Sequence, residues 1–248
     1  MKFIVVFIFS VVNLLAIITI APVVIGSKPG ASGMLKGSFE TKRGNTDVDN
    51  YSAGFRAQYD NNTSYVLWSD FVFSYGKASG ETNTNKSYAH LRLVHTFLDS
   101  KVFNYETFVQ SEKNEFTSVK EKILLGGDFR YYQDLSKYGD FYVGLGSFYE
   151  TVEYLTNLNP DEENFRINFY VSYTKSFSKD SKFTYVMYFQ PNIAEPTDYV
   201  LSNATELEIL IYEKLYLDFV IYYDQDTKPA VGVEKSDFTQ KTSFIYKF

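Results

Sequence analysis

The chain has 248 residues, with 24 Lys and Arg against 30 Asp and Glu, a formal net charge of −6. The acidic balance and the lack of any basic cluster argue against nucleic acid as a partner, and the absence of cysteine excludes a disulfide framework, a thiolate metal site and a Cys nucleophile. Aromatic residues make up 19% of the chain, almost all Tyr (22) and Phe (23), the types that strands and membrane-interface girdles favour.

Met1–Ile25 carries Lys2 and then an almost unbroken apolar run from Phe3 to Ile25, followed by the small residues Gly26, Ser27 and Gly30–Gly33. This is the layout of a secretory signal peptide. The expectation is a signal over residues 1–26, cleaved near Val24-Ile25-Gly26, and a barrel domain over 27–248. An uncleaved anchor is the alternative, since the run is long enough to span a bilayer. Beyond it no apolar run approaches the length of a membrane helix, and the mean hydropathy is −0.21.

After residue 34 the hydrophobic period is two, not 3.6. Tyr51, Ala53, Phe55, Ala57 and Tyr59 alternate with polar residues and Gly54, and Tyr65, Leu67, Phe71, Phe73 and Tyr75 follow the same rule. The alternation recurs at Ala89–Phe97, Phe103–Val109, Ile123–Tyr131, Phe141–Tyr149, Phe165–Tyr173, Phe183–Phe189, Leu207–Ile211 and Leu215–Tyr223. With Leu35–Arg43 and a terminal segment this predicts about twelve strands, each near the length a tilted membrane strand requires. Tight turns at Asp60–Asn62, Leu98–Ser100, Ser178–Ser181 and Glu213–Lys214 alternate with longer polar connections at Gly76–Asn85, Leu155–Glu163, Ile193–Asp198 and Gln225–Ser236. Short turns at one end and longer loops at the other are the habit of outer-membrane barrels. An even strand number leaves both mature termini in the periplasm. A soluble sandwich or lipocalin-like barrel also alternates, but it places its apolar set inside. Here the apolar set is too large in every strand for a small interior, and the polar set is rich in charge and glycine. The predicted fold is therefore an all-β, antiparallel transmembrane barrel in the outer membrane of a Gram-negative bacterium.

The last stretch, Asp237–Phe248, puts Phe238, Phe244, Tyr246 and Phe248 on one face, with Ile245 the apolar exception on the other. An open strand edge invites pairing with other chains, and closure onto the first strand removes it. The ending resembles the terminal signal strand of bacterial outer-membrane barrels. That resemblance implies Phe244, Tyr246 and Phe248 as an assembly signal for the barrel assembly machinery.

Several internal stretches resemble one family. Gly44-Asn45-Thr46-Asp47 looks like its hairpin after the first strand. Phe103-Asn104-Tyr105-Glu106, followed by Gln110–Phe116, looks like its middle segment. Leu125-Gly126-Gly127-Asp128-Phe129-Arg130 and Gly144–Glu150 are similar to its glycine-rich pair of strands. The family is the salt-induced outer-membrane proteins, bacterial barrels whose domain has no assigned function. The resemblance covers most of residues 35–248, departs at Asp128, and brings no substrate and no catalytic residue.

The inward set carries the candidates for chemistry: Arg56, His90, Arg92, Glu106, Asp128, Arg130, Glu150, Arg166, Glu206, Glu208 and Asp218. As a pore lining they would set charge selectivity; as cross-barrel ion pairs they would simply fill a modest lumen. Bulky Tyr88, Tyr142, Phe148, Tyr170, Tyr188 and Tyr222 share that face. Two functions follow. One is a narrow passive channel for small ions or solutes. The other is a plugged structural barrel that supports the envelope under salt or osmotic stress without transport. An enzyme is not expected: neither His90 nor His95 has a serine two residues away on its face, as outer-membrane phospholipases have, and two histidines without clustered carboxylates make a poor metal site. No cofactor is expected. The expected partners are outer-membrane lipids and the assembly machinery, with the barrel a monomer.

Overall fold

The structure, a computed structural model, describes residues 22–42, 48–78, 81–98, 100–178 and 180–248. The first 21 residues of the expected signal peptide and the Gly44–Asp47 hairpin lie outside the described residues. The strands are β1 (Gly30–Lys42), β2 (Val48–Asp60), β3 (Tyr65–Ala78), β4 (Glu81–Phe97), β5 (Ser100–Asn114), β6 (Val119–Asp134), β7 (Asp140–Tyr154), β8 (Glu162–Ser178), β9 (Ser181–Pro191), β10 (Tyr199–Tyr212), β11 (Leu215–Asp226) and β12 (Ser236–Lys247). Each pairs antiparallel with its chain neighbours, and β12 pairs with β1, so the sheet closes.

Closure satisfies the backbone polar groups that an edge would leave bare. The seam runs from Met34↔Lys247 to Gly37↔Phe244. It extends by two further hydrogen bonds, Gly33 N to Phe248 O (2.9 Å) and Phe248 N to Gly33 O (3.0 Å).

Period-two alternation then decides the two faces. Phe39, Phe73 and Phe129 are 61%, 60% and 63% exposed, whereas Trp68, Tyr170 and Glu106 are 2%, 0% and 1% exposed. An apolar outer band around a lumen of buried ionic groups is the reverse of a soluble barrel, and it is the arrangement lipid demands. The lumen is less wet than the alternation suggests, because Val66, Val94, Leu124, Val152, Val186, Val220 and Ile245 also point inward and are buried.

Two boundaries differ from the sequence-based expectation. Gly76–Asn85, expected as a long loop, is strand almost throughout, with Gly76↔Thr84 and Lys77↔Thr82 paired and only residues 79–80 between β3 and β4. Ladder hydrogen bonds do not need apolar side chains, so a polar stretch marks where a hairpin leaves the bilayer rather than where its strands end. For the same reason β1 starts at Gly30, paired with Asp60, inside the small-residue stretch expected to flank a cleavage site.

Gly126, Gly144 and Gly146 relieve crowding. A Cβ on Gly144 would lie 1.9 Å from the ring of Tyr170, one on Gly126 2.4 Å from Phe148 Cβ, and one on Gly146 2.0 Å from the Gly127 carbonyl. Tyr170 is fully buried, so its ring has little room to retreat. Gly144→Ala is expected to lower the folded fraction sharply, and Tyr170→Ala in the same chain to restore much of it. The unheated, folded band on a detergent gel measures both, and an unaltered Gly144→Ala band contradicts the expectation.

Candidate functional site

The lumen is divided lengthwise. On the β4–β9 side, side chains fill it. Glu106 on β5 receives Arg92 from β4 (Nη1 to Oε2, 3.0 Å) and Arg130 from β6 (Nη1 to Oε1, 2.7 Å), and the Tyr170 hydroxyl of β8 donates to it at 3.1 Å. Arg92 Nε donates to His90 Nε2 (3.3 Å), so the imidazole donates from Nδ1 to Gln110 Oε1, 3.3 Å away. His90 stacks on Trp68 and Phe108, with centroids 5.1 and 5.9 Å apart. Asn168 Nδ2 donates to both oxygens of Asp128 (3.0 and 2.9 Å), and Asn168 Oδ1 accepts from Gln190 Nε2 (3.0 Å).

Toward the loop end, Glu150 pairs with Lys122 (2.7 Å) and Arg166 (2.9 Å), and Arg166 reaches Asp198 at 3.1 Å. Asp198 belongs to the β9–β10 loop, so this ion pair pins that loop into the mouth. The β11–β12 loop folds over the same place. Its Ala230 is buried, its Val231 N donates to Asn159 Oδ1 (2.8 Å), and its Lys228 meets Glu195 (2.5 Å). A small cavity of about 70 Å³ remains beneath it, lined by Glu112, Glu150, Arg166, Asp224 and Asp226 among others.

At the turn end the segment Pro22–Ser27 enters the lumen. Val23 and Ile25 pack against Val66, Trp68 and Tyr88, and Val24 packs against Tyr142, Tyr170, Val186 and Tyr188. Arg130 Nη2 donates to the Val23 carbonyl (3.0 Å), and Gly26 N donates to both oxygens of Asp60 (3.0 and 2.8 Å). The last residues of the expected signal peptide therefore occupy a slot that fits them.

The other side of the lumen, walled by β1–β4 and β9–β12, is less filled. It holds a cavity of about 250 Å³, termed the passage below, whose lining runs from Thr84, Asn114 and Phe116 near the loop end to Met34, Lys182 and Glu208 toward the turn end. Its walls carry Arg56, held bidentately by Asp70 (2.6 and 2.5 Å), and Lys86, which pairs with Glu112 (2.9 Å). Lys36 pairs with Asp218, and Glu208 with Lys247.

All eleven charged residues singled out from the sequence face the lumen, but they do not form one site. Arg56, Glu206 and Glu208 line the passage and Asp218 lies just behind its wall, whereas His90, Arg92, Glu106, Asp128, Arg130, Glu150 and Arg166 belong to the filled half. Of the six bulky inward residues, Tyr88, Tyr142, Phe148, Tyr170 and Tyr188 are buried in the filling, and Tyr222 lines the passage. Lys36, Asp70, Lys86, Lys182, Lys241 and Lys247 face the same lumen and are not among those eleven. Strand parity finds all of them, since each shares the inward phase of its strand. Asp198 lies in a loop, where parity is silent. Among the described residues no group of three His or acidic side chains is placed to hold a metal ion. Phe244, Tyr246 and Phe248 face outward, about half exposed.

Solved structures share this architecture. The COG4313 outer membrane channel from Pseudomonas putida F1 is 10% identical, with 93% of this chain and 97% of that one covered at a TM-score of 0.54. A KdgM porin in complex with disordered oligogalacturonate is 9% identical over 87% of this chain and 96% of that one, with a TM-score of 0.46. The NanC porin is 9% identical over 87% and 97%, with a TM-score of 0.48. At such identities the likeness concerns fold only. No curated protein sequence matches the chain. One family does, over residues 37–248, which is every strand from the middle of β1 to the end of the chain. The chain belongs to the family described as "Protein of unknown function, DUF481".

Proposed function

We propose that the protein is a bacterial outer-membrane barrel acting as a narrow passive channel for small ions or solutes. The observation that carries this reading is the off-centre passage, an unfilled space of about 250 Å³ that extends along much of the lumen beside a half packed with aromatic and ionic side chains. Tight turns gather at the end that holds Gly30 and Lys247, which supports placing that end and both mature termini in the periplasm. The outward aromatics Phe244, Tyr246 and Phe248 on the closing strand suit an assembly signal read before closure. Nothing in this reading requires bond chemistry, so the protein is not an enzyme in it.

The test is conductance of the refolded barrel in a planar bilayer, with Gly54→Trp alongside. Gly54 lines the passage, and a Cβ there would meet its nearest neighbours at 3.5–3.7 Å, ordinary contact distances. The larger side chain should fold and extend into the open space. Stepwise conductance in the native chain and a several-fold smaller step in the variant are expected. A silent membrane with inserted protein turns the reading to the second one, a plugged structural barrel supporting the envelope under salt or osmotic stress. The buried Tyr88, Tyr142, Phe148, Tyr170 and Tyr188 favour that reading.

A further inference from the structure

The passage has an uneven charge balance, and the imbalance is local. Its lining includes Lys36, Arg56, Lys86, Lys182 and Lys241 against Asp70, Glu206 and Glu208. Arg56, Lys36 and Lys86 each have an ion-pair partner, in Asp70, Asp218 and Glu112, and Glu208 is taken by Lys247. That leaves Lys182 and Lys241. Among the described residues neither has a carboxylate within ion-pair distance, and Glu206 is the one remaining carboxylate on the wall.

The hydroxyl groups beside these lysines add donors rather than acceptors. Lys241 Nζ donates to Ser52 Oγ (2.8 Å), and Ser74 Oγ donates to the same oxygen (3.2 Å). Ser52 has thus filled its accepting capacity, and its own hydroxyl hydrogen is left to donate. Thr184, 2% exposed and on the passage wall, has a hydroxyl oxygen with no hydrogen-bond partner among the described residues. The acidic Asp224 and Asp226 line the separate cavity under the β11–β12 loop and do not offset these groups.

We propose that this passage takes small anions, with Lys182 and Lys241 as its charged stations and Ser52 and Thr184 as neutral donors. The inference rests on the channel reading and names its solute class. Two ammonium groups facing the single remaining carboxylate Glu206, with two hydroxyl donors beside them, leave an excess of positive charge and donors that suits an oxyanion such as a carboxylate or a phosphate. Each donor can exchange a hydration bond for a protein bond as the ion passes. The space, about 250 Å³ in all, has room for a small solute.

The experiment is the reversal potential of the full-length protein, refolded into a planar bilayer, under a potassium chloride gradient. It is repeated with chloride replaced by acetate and by phosphate. The expected result is a potential of the sign for anion preference, moved through zero by Lys182→Glu with Lys241→Glu. Lys182→Gln with Lys241→Gln should move it part of the way. Retention of the folded, unheated gel band shows that the variants are intact. Conductive barrels that prefer potassium, or a charge-reversed variant with an unmoved potential, overturn the anion assignment and leave the channel reading standing. A silent membrane overturns both. Current carried by acetate or phosphate supports the oxyanion class, and a barrel that passes chloride but neither acetate nor phosphate overturns it.

Discussion

A barrel refolded from Ser27 should conduct several-fold more than one refolded from Pro22. The two differ only in Pro22–Gly26, which the structure places inside the lumen. Val23, Val24 and Ile25 bridge the aromatic clusters of the two walls, and their backbone is held at both ends, by Arg130 at the Val23 carbonyl and by Asp60 at Gly26 N. Removing the segment empties a slot walled by Trp68, Tyr88, Tyr142 and Tyr188, and opens the filled half from the turn end. It should also lower stability. These side chains are only half-buried, so each contributes on the order of 1 kcal/mol rather than the full value for a buried Val or Ile. Step size in a bilayer measures the first effect and the temperature at which the folded gel band is lost measures the second. Equal conductance from the two chains would show that the segment does not obstruct the lumen in the membrane. The mass of the protein recovered from an outer membrane then decides which chain the cell makes. Cleavage after Gly26, as the sequence suggests, yields the open form, and cleavage upstream of Val23 yields the stoppered one.

The slot also shows where sequence reasoning ends. Period-two alternation makes the barrel legible because lipid outside and ion pairs inside impose opposite demands on successive residues. The same parity puts Arg56, Glu106 and Asp218 on one face without any structure. It cannot tell which inward residues meet across the lumen. Tyr170 and Glu106 are 64 residues apart and on non-adjacent strands, yet their side chains are hydrogen-bonded. Parity puts Gly144 on the inward face, but only the fold shows that it is the space Tyr170 needs. The split into a filled half and a passage follows from many such meetings, each fixed by barrel diameter and strand stagger rather than by local pattern. The lysines of the passage fell from view for another reason. Lys182 and Lys241 read as ordinary polar alternation, and only their lack of carboxylate partners sets them apart. Val23–Ile25 is apolar for export and apolar for packing alike, and composition does not separate the two uses.

Glu106→Gln should be among the most destabilising single substitutions in the barrel. Glu106 is 1% exposed and meets two guanidinium groups that are themselves buried, Arg92 at 3.0 Å and Arg130 at 2.7 Å, besides the Tyr170 hydroxyl. A neutral amide leaves two buried cations facing one another's field, with only Asp128, opposite Glu106 on β6 and already bonded to Asn168, as a nearby counter-charge. Removing one partner of a buried pair costs about 3–5 kcal/mol, and here one carboxylate serves two arginines. Cation–π contact, with the Arg92 guanidinium 5.0 Å from the Phe108 ring and that of Arg130 5.5 Å from Tyr142, offsets only part of this, since such contacts contribute roughly 0.5–2 kcal/mol. The expected result is a large fall in the guanidinium midpoint of the detergent-refolded barrel and early loss of the folded gel band. Replacing all three charges together, Arg92→Met, Glu106→Met and Arg130→Met, should recover part of the loss, because neither guanidinium is then stranded; the buried Asp128 loses the nearby Arg92 and keeps only its Asn168 hydrogen bonds, so recovery is incomplete. If Glu106→Gln unfolds at the native midpoint, the three groups are hydrated in the membrane and the filled half is wetter than its packing implies. If the triple replacement is no better than the single one, the network is needed for shape rather than for charge balance.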